Sequence, residues 1–251
     1  MLKSNPLKFV QSFFSFLKQL LSSRWRSLLM LLIGVYLPLQ VFGLLAVEVW
    51  ENKGGFFWDV PILMAVHKTA QPQLDVFAVT LTKFGSISIV YPIVTAIALV
   101  FLFYKRWRSL SYLYIVMVGS SLISYTTKII MHRARPHLWE SFYPPELDYA
   151  FPSGHAMTSM ALVAALVILT WGSFWCWPIL MSGSLFVVGI AWTRLYLGVH
   201  FPSDILAGWM VSIAWAFGVS LLIKPHLTDD NAVNDDEPND TELSSSGSLE
   251  P

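Results

Sequence analysis

The sequence predicts an all-α membrane protein, a polytopic bundle with six transmembrane helices. Hydrophobic residues make up 55% of the 251 residues and charged residues only 13%, whereas a typical soluble domain has about 25% charged residues. Apolar segments of about 20 residues, the length that spans a bilayer as a helix, recur along the chain. The chain also has eleven Trp and seventeen Phe, and aromatic side chains collect at membrane interfaces.

The six apolar segments are the predicted membrane helices, and we expect them to form one domain over residues 27–224. They cover residues 27–48, 86–104, 110–131, 153–171, 175–194 and 203–224. The mixed segment between the first two, with Gly, Pro and Asp among aromatic residues, predicts a loop that contains an interfacial helix. Four prolines break the loop between the third and fourth helices: Pro136, Pro144, Pro145 and Pro152.

The two ends of the chain differ from this central domain. Residues 1–26 place apolar residues at roughly helical spacing among five Lys and Arg residues, which predicts an amphipathic segment on the cytoplasmic membrane surface. Residues 225–251 hold eight of the sixteen Asp and Glu residues and few apolar ones. We therefore expect a disordered acidic tail in the cytoplasm.

The distribution of Lys and Arg residues orients the helices. With both termini in the cytoplasm, nine of the sixteen Lys and Arg residues face the cytoplasm and seven lie outside. Three of those seven, Lys128, Arg135 and Arg194, have another predicted role, which leaves four. Because cytoplasmic loops carry the excess of Lys and Arg, we expect both termini inside and the loops after the first, third and fifth helices outside.

Two cations lie at and just beyond the end of the third predicted helix. Lys128 and Arg135 are seven residues apart, nearly two helical turns, so they would share a face if the helix extended that far. Pro136 opposes this, because the residue before a proline disfavours helical geometry. Arg binds phosphate oxygens bidentately and Lys acts as a point charge. On their own, the two cations fit a basic collar at a helix end as well as an anion site.

A helix start at Ser153 forms a second group. Ser153 is a suitable N-cap, and Gly154 lets a ligand approach the backbone closely. The free N–H groups of a helix N-terminus bind anions. An ordinary helix start explains these residues but not His155 in the first turn.

His200 and Asp204 form the third group, four residues apart and shortly after Thr193 and Arg194. A carboxylate on one imidazole nitrogen fixes the tautomer and leaves the other nitrogen free as a nucleophile. An isolated His–Asp pair is more often a structural hydrogen bond. Here, however, all three groups fall on the same predicted side of the membrane.

Together the groups supply two His, one Asp, three cations and a helix N-terminus, which suit metal-free phosphoryl transfer. The sequence shows neither a carboxylate cluster suited to magnesium nor a Cys or His cluster suited to zinc. We therefore expect no metal and no cofactor. A large basic face is also lacking, so a nucleic-acid partner is not expected.

The three motifs closely resemble those of the phosphatidic acid phosphatase type 2 superfamily of membrane lipid phosphate and diphosphate phosphatases. The pattern of that family is K-x6-R-P, then P-S-G-H, then S-R-x5-H-x3-D. In this sequence the motifs are Lys128 to Arg135-Pro136, Pro152-Ser153-Gly154-His155, and Thr193-Arg194 to His200 to Asp204. Thr193 stands where the family has Ser, and a Thr hydroxyl can also donate to phosphate.

The resemblance implies a cell-membrane phosphatase with an extracytoplasmic site and a phosphohistidine intermediate. His200 would attack phosphorus, Asp204 would orient it, and His155 would protonate the leaving oxygen. The implied phosphate-binding residues are Lys128, Arg135, Ser153, Gly154 and Arg194. The implied substrate is a membrane lipid of the phosphatidate, phosphatidylglycerophosphate or undecaprenyl diphosphate class.

Two alternatives remain open at this point. One is a lipid-linked phosphotransferase that uses the same phosphohistidine, and the other is a non-catalytic lipid-binding or transport protein. The motifs do not choose among the lipids, and the oligomeric state is unknown. Arg133, which lies off the motif positions, is expected to be a solvated loop residue or to contact lipid headgroups.

Overall fold

Eight helices make up the described part of the chain, and no strand occurs in it. The structure, a computed structural model, describes residues 25, 27–52, 55–139, 143–144 and 146–225. The helices are α1 (Ser27–Glu51), α2 (Asp59–His67), α3 (Pro72–Lys83), α4 (Ile87–Phe103), α5 (Trp107–Met131), α6 (Gly154–Leu169), α7 (Cys176–Tyr196) and α8 (Pro202–Ile223). The all-α prediction is confirmed for these residues.

Local sequence explains several helix boundaries. Pro72 and Pro202 lie in the first turns of α3 and α8, where a missing N–H costs no intrahelical hydrogen bond. α5 ends at Met131, and His132 follows it in a left-handed conformation with φ of 49°. Arg135 is therefore not on α5, and the loop after the helix brings it to the site.

Helix α6 is central to the bundle, because it packs against α5, α7 and α8. Glycines allow close approach at two of the helix crossings. A Cβ on Gly119 of α5 would lie 2.4 Å from Trp215 of α8, and one on Gly183 of α7 would lie 2.5 Å from Val163 of α6. Small residues at such crossings are typical of membrane helix bundles.

Among the described helices, four are long and apolar enough to cross a membrane: α1, α5, α7 and α8. Helices α3 and α4 pass the same test only as a pair, bent by 43°, and would make a fifth span. Helix α6 is apolar but shorter. The prediction of a polytopic helical membrane protein is thereby confirmed, with four candidate spans, or five if the bent pair crosses as one. The predicted number of six spans is not confirmed.

The segment before α4 contains two helices, α2 and α3, where the sequence predicted one interfacial helix. Gln71 separates them because its backbone is extended, with φ of −150° and ψ of 146°, and Pro72 then begins the next helix. The predicted amphipathic segment and acidic tail lie outside the described residues, apart from Trp25 and Pro225.

Candidate active site

The three sequence motifs meet at one end of the helix bundle. Helices α5 and α7 end there, and α6 and α8 begin there. Every predicted charged or histidine site residue lies at one of these helix ends or in an adjoining loop: Lys128, Arg135, His155, Arg194, His200 and Asp204. Residues far apart in the chain thus share one site.

His200 is buried, and its two ring nitrogens face different partners. Nη1 of Arg135 lies 3.0 Å from Nε2, and because a guanidinium can only donate, Nε2 accepts and carries no proton. The proton of the neutral ring is then on Nδ1, which faces Oδ2 of Asp204 at 3.4 Å. That contact lacks hydrogen-bond geometry, and such contacts often tighten when substrate binds.

The environment of His200 also keeps its ring neutral. Burial is the largest cause, and the positive charges of Arg135, Arg194 and Lys128 act in the same direction, so the pKa of His200 lies well below its usual range. A neutral imidazole with an unprotonated Nε2 is the form that can act as a nucleophile.

Two carboxylates from the loop between α5 and α6 contact the three predicted phosphate-binding cations. Glu146 Oε1 contacts Nη2 of Arg194, and its Oε2 lies 2.6 Å from Nη2 of Arg135. Asp148 contacts both Arg135 and Lys128. The sequence motifs gave no sign of these carboxylates, because neither residue belongs to a motif.

Both carboxylates are held in the ionised form. Burial alone would raise the pKa of Glu146, but Arg194 and Arg135 outweigh burial and place the pKa below its usual range. Burial likewise opposes the shift at Asp148, where contacts with Lys128 and Arg135 lower the pKa. Lys128, Arg135 and Arg194 are therefore paired with the ionised carboxylates of Glu146 and Asp148.

The start of α6 brings backbone N–H groups to the same place. Ser153 is the N-cap residue and is buried, and its Oγ has no hydrogen-bond partner among the described residues. A Cβ on Gly154 would make only an ordinary van der Waals contact, at 3.8 Å from Oγ of Ser124. His155 lines the same cavity as Lys128 and His200. These positions agree with an anion held at the helix N-terminus.

Arg133 departs from the sequence prediction of a solvated or headgroup-binding residue. Its side chain is 0% exposed, because it lies behind the third motif rather than on the loop surface. Nη1 contacts Oδ1 of Asp204 and donates to Oγ of Ser203 at 2.8 Å, and Nη2 donates to Oδ2 of Asp59 at 2.7 Å. The sequence analysis thus missed Arg133 and Asp59 as neighbours of the site.

Two further side chains clarify the third motif. The hydroxyl of Thr193 donates to the carbonyl of Ile190 at 2.6 Å within α7, so it is engaged in its own helix. Arg194 is buried, and its Nη1 donates to Oγ1 of Thr82 at 3.0 Å. Helix α3 therefore helps to orient this arginine.

Two cavities border the site from different directions. One of about 340 Å³ lies between α4, α5 and α6 and reaches Lys128, His155 and His200. The other, of about 840 Å³, lies among the loops after α5 and α7 and reaches Arg135 and Glu146. One cavity therefore opens between helices and the other among loops.

Comparison with known proteins gives consistent matches. The model of the PAP2 superfamily matches residues 108–226. Undecaprenyl-diphosphatase of Sulfolobus acidocaldarius is 29% identical over 202 residues, which cover 78% of this chain and 88% of that protein. Phosphatidylglycerophosphatase B of Bacillus subtilis is 26% identical over 165 residues, which cover 63% of this chain and 80% of that protein.

A solved structure shares the fold. The crystal structure of a transmembrane PAP2-type phosphatidylglycerolphosphate phosphatase from Bacillus subtilis matches with a TM-score of 0.67 at 24% identity. The match covers 76% of this chain and 97% of that one.

The membrane helix bundle, the site at one end of it and these relatives define a membrane phosphatase. All three motifs lie inside the segment that the family model matches. The match of the PAP2 superfamily model to residues 108–226 confirms the resemblance drawn from the sequence.

Proposed function

We propose that the protein hydrolyses a membrane lipid phosphate or isoprenyl diphosphate through a phosphohistidine on His200, without a metal ion. One observation carries the proposal: Arg135 donates to Nε2 of His200, so this nitrogen is unprotonated. Its lone pair becomes free for attack when Arg135 turns to the phosphate. The names of the relatives support phosphatidylglycerophosphate and undecaprenyl diphosphate as substrate classes. Phosphatidate, which the sequence resemblance also implies, is the third candidate substrate class.

The reaction has two steps. First, Nε2 of His200 bonds to phosphorus while the bond from phosphorus to the leaving oxygen breaks, and His155 gives that oxygen a proton. Asp204 faces Nδ1–H and stabilises the positive ring that forms. Second, His155 takes a proton from water as the water attacks the phosphohistidine, and inorganic phosphate leaves Nε2.

The phosphate group binds among the cations and the start of α6. Lys128, Arg135 and Arg194 contact its oxygens, together with Ser153 Oγ and the N–H of Gly154. Phosphate oxygens replace the carboxylates that occupy the cations in this structure. The charge that develops in the transition state is then stabilised by donors already in place.

The lipid part of the substrate enters sideways from the outer leaflet. The cavity between α4, α5 and α6 supports this route, because it links the space between apolar helices to Lys128 and His200. The loop cavity gives water and released phosphate a separate path.

Helices α4 and α6 also cross the membrane, which gives six spans with both termini in the cytoplasm and the site outside. They have 17 and 16 residues, close to the lower limit of about 17 for a spanning helix. Three cations between α4 and the first turn of α5 support the cytoplasmic side for that loop: Lys105, Arg106 and Arg108.

Phosphate release by the detergent-purified protein tests the proposal. The assay contains EDTA and, in turn, phosphatidate, phosphatidylglycerophosphate and undecaprenyl diphosphate, and it compares the parent with His200→Ala. We expect EDTA-resistant release that His200→Ala abolishes, and acid-labile phosphate on the parent chain only. Activity that needs a metal or survives the substitution would overturn the mechanism. Transfer of phosphate to an added alcohol or sugar in preference to water would identify a phosphotransferase.

A further inference from the structure

A buried ionic cluster lies directly behind the proposed nucleophile. It consists of Asp59, Arg133, Ser203 and Asp204, all of which are fully buried. Asp204 is shared: Oδ2 faces His200, whereas Oδ1 contacts Arg133. The residues that hold Arg133 in place therefore also hold the carboxylate of Asp204, which orients His200.

We propose that Arg133, held by Asp59, is a positioning residue that sets the place and charge of Asp204 and, through it, the tautomer of His200. This inference rests on the proposed function, in which His200 is the nucleophile. Arg133 and Asp59 do not touch the phosphate in this scheme. Their role is to hold a residue that touches the reacting histidine.

The hydrogen bonds make the cluster a rigid support. Nη1 and Nη2 of Arg133 reach different carboxylates, Asp204 and Asp59, and so bridge them. Asp59 in turn accepts the backbone N–H of Ser203 at 3.0 Å and its hydroxyl at 2.6 Å. Asp59 thus holds both the arginine and the first turn of α8, which carries Asp204. A lysine could not reproduce this planar two-armed bridge.

Charge balance gives a second reason for the arginine. Asp59 and Asp204 are two buried carboxylates, and a buried charge needs a partner to remain ionised. Arg133 faces both of them, and the ring of Phe201 lies 4.5 Å from its Cζ atom. An ionised Asp204 favours the proton on Nδ1 of His200, which leaves Nε2 unprotonated.

Gly55 shows how tightly the segment before α2 fits against the cluster. A Cβ on Gly55 would lie 2.2 Å from Nη2 of Arg133 and 2.7 Å from Oδ2 of Asp59. Gly55 also has φ of +90°, a conformation that other residues rarely adopt. The backbone N–H of Phe56 donates to Oδ2 of Asp59 at 3.0 Å. Gly55 and Phe56 therefore close the cluster from one side.

Two readouts test the positioning role. Steady-state kinetics compare the parent with Arg133→Lys and Asp59→Asn. In metal sites, removing the residue that orients a ligating histidine lowers metal affinity or activity about 10–100-fold. We expect a fall of about that size in kcat for both variants, with KM changed less than about twofold. ¹⁵N NMR of histidine-labelled protein, with the His200 signal assigned by its absence in His200→Ala, should show Nδ1–H in the parent and a changed tautomer mixture in both variants.

Matched controls separate positioning from folding. Asp75→Asn removes the charge of a carboxylate that accepts from the Tyr196 hydroxyl at 2.6 Å, outside the cluster. Arg106→Gln removes an exposed cation at the other end of α5. Both should keep the parental kcat and His200 spectrum. A parental kcat in folded Asp59→Asn, or the same tautomer in all proteins, would overturn the positioning role.

The NMR readout also distinguishes this inference from the proposed function. It needs no substrate, so a changed His200 tautomer in Asp59→Asn supports the positioning role even if no lipid is hydrolysed. Conversely, full activity of His200→Ala would refute the proposed function. It would also refute the role of Arg133 in the reaction.

Discussion

Glu146 occupies the donors that the proposed mechanism gives to phosphate. Its two oxygens contact Arg194 and Arg135, and Oε2 also lies 4.0 Å from Nε2 of His200. A phosphate that binds for attack by His200 has to use the same donors, so it competes with Glu146. Because the pKa of Glu146 is below its usual range, the carboxylate competes as an anion throughout neutral pH.

Replacing Glu146 by Gln should strengthen the binding of phosphate analogues. The amide keeps the size of the side chain but removes the competing charge. We expect the inhibition constant of orthovanadate to fall about tenfold, which corresponds to about 1.4 kcal/mol. The control is Glu51→Gln, at the exposed end of α1, which should leave the constant unchanged. A higher constant in Glu146→Gln would mean that Glu146 mainly holds the arginines in place.

The charge state of His200 leads to a prediction about pH. An unperturbed imidazole takes up a proton near pH 6.5, but burial and the cations around His200 lower its pKa. The ring should therefore stay neutral as the pH falls from 7.5 to 6. The ¹³Cε1 shift of His200 checks this, with the chain unfolded in denaturant as the reference that titrates near 6.5. Protonation of His200 in the folded protein at about pH 6.5 would contradict the structural assignment.

The crossing of α5 and α8 determines where Lys128 and Asp204 lie relative to each other. At this crossing Gly119 faces Trp215, whose Nε1 donates to the carbonyl of Ile115 at 3.2 Å. The two helices can approach this closely only because Gly119 has no side chain. Their separation is thus coupled to the geometry of the site at their ends.

A larger residue at Gly119 should separate the two helices. Overpacking costs about 1–3 kcal/mol, so Gly119→Val should unfold at a lower temperature in detergent and hydrolyse lipid more slowly. Gly43→Val in α1 is the matched control, since a Cβ there meets nothing within 4 Å. Equal unfolding temperatures for Gly119→Val and the parent would show that the crossing can relax.

Most of the helical organisation could be predicted from the sequence, because apolar length is a local property. The third predicted helix, residues 110–131, corresponds to α5, and residues 203–224 correspond to α8. The division between α2 and α3 was missed, because it depends on one extended residue, Gln71, inside a segment of mixed composition. Helix α6 is also shorter than the helices that are long enough to count as candidate membrane spans.

The motif residues could be placed from the sequence, but their partners could not. Spacing within a motif is local, whereas Arg133 contacts Asp59 and Asp204, which are 74 and 71 residues away. Glu146 and Asp148 lie in an irregular loop with no periodicity to indicate which way they face. A usable signal did exist. Only 13% of the residues in the chain are charged, so an acid such as Asp59 in a loop of the predicted membrane domain calls for a basic partner.

The whole molecule has an asymmetric distribution of charge that relates to its orientation. The site collects cations and carboxylates at the ends of α5 and α7, and the opposite ends of α6 and α7 are joined by a short turn rich in aromatic residues. Trp171, Phe174 and Trp175 are exposed in that turn, as expected for side chains at a membrane interface. The two ends of the bundle should therefore face different compartments.

Cysteine labelling in intact cells tests this orientation. The chain has one cysteine, Cys176, so Cys176→Ser gives a background without thiols. In that background, Leu147→Cys introduces a thiol in the site loop and Phe174→Cys introduces one in the opposite turn, at positions that are 101% and 83% exposed. With the site outside, an impermeant maleimide should label the first variant in intact cells and the second only after the membrane is opened. The reverse pattern would place the site in the cytoplasm, and the lipid would then have to come from the inner leaflet.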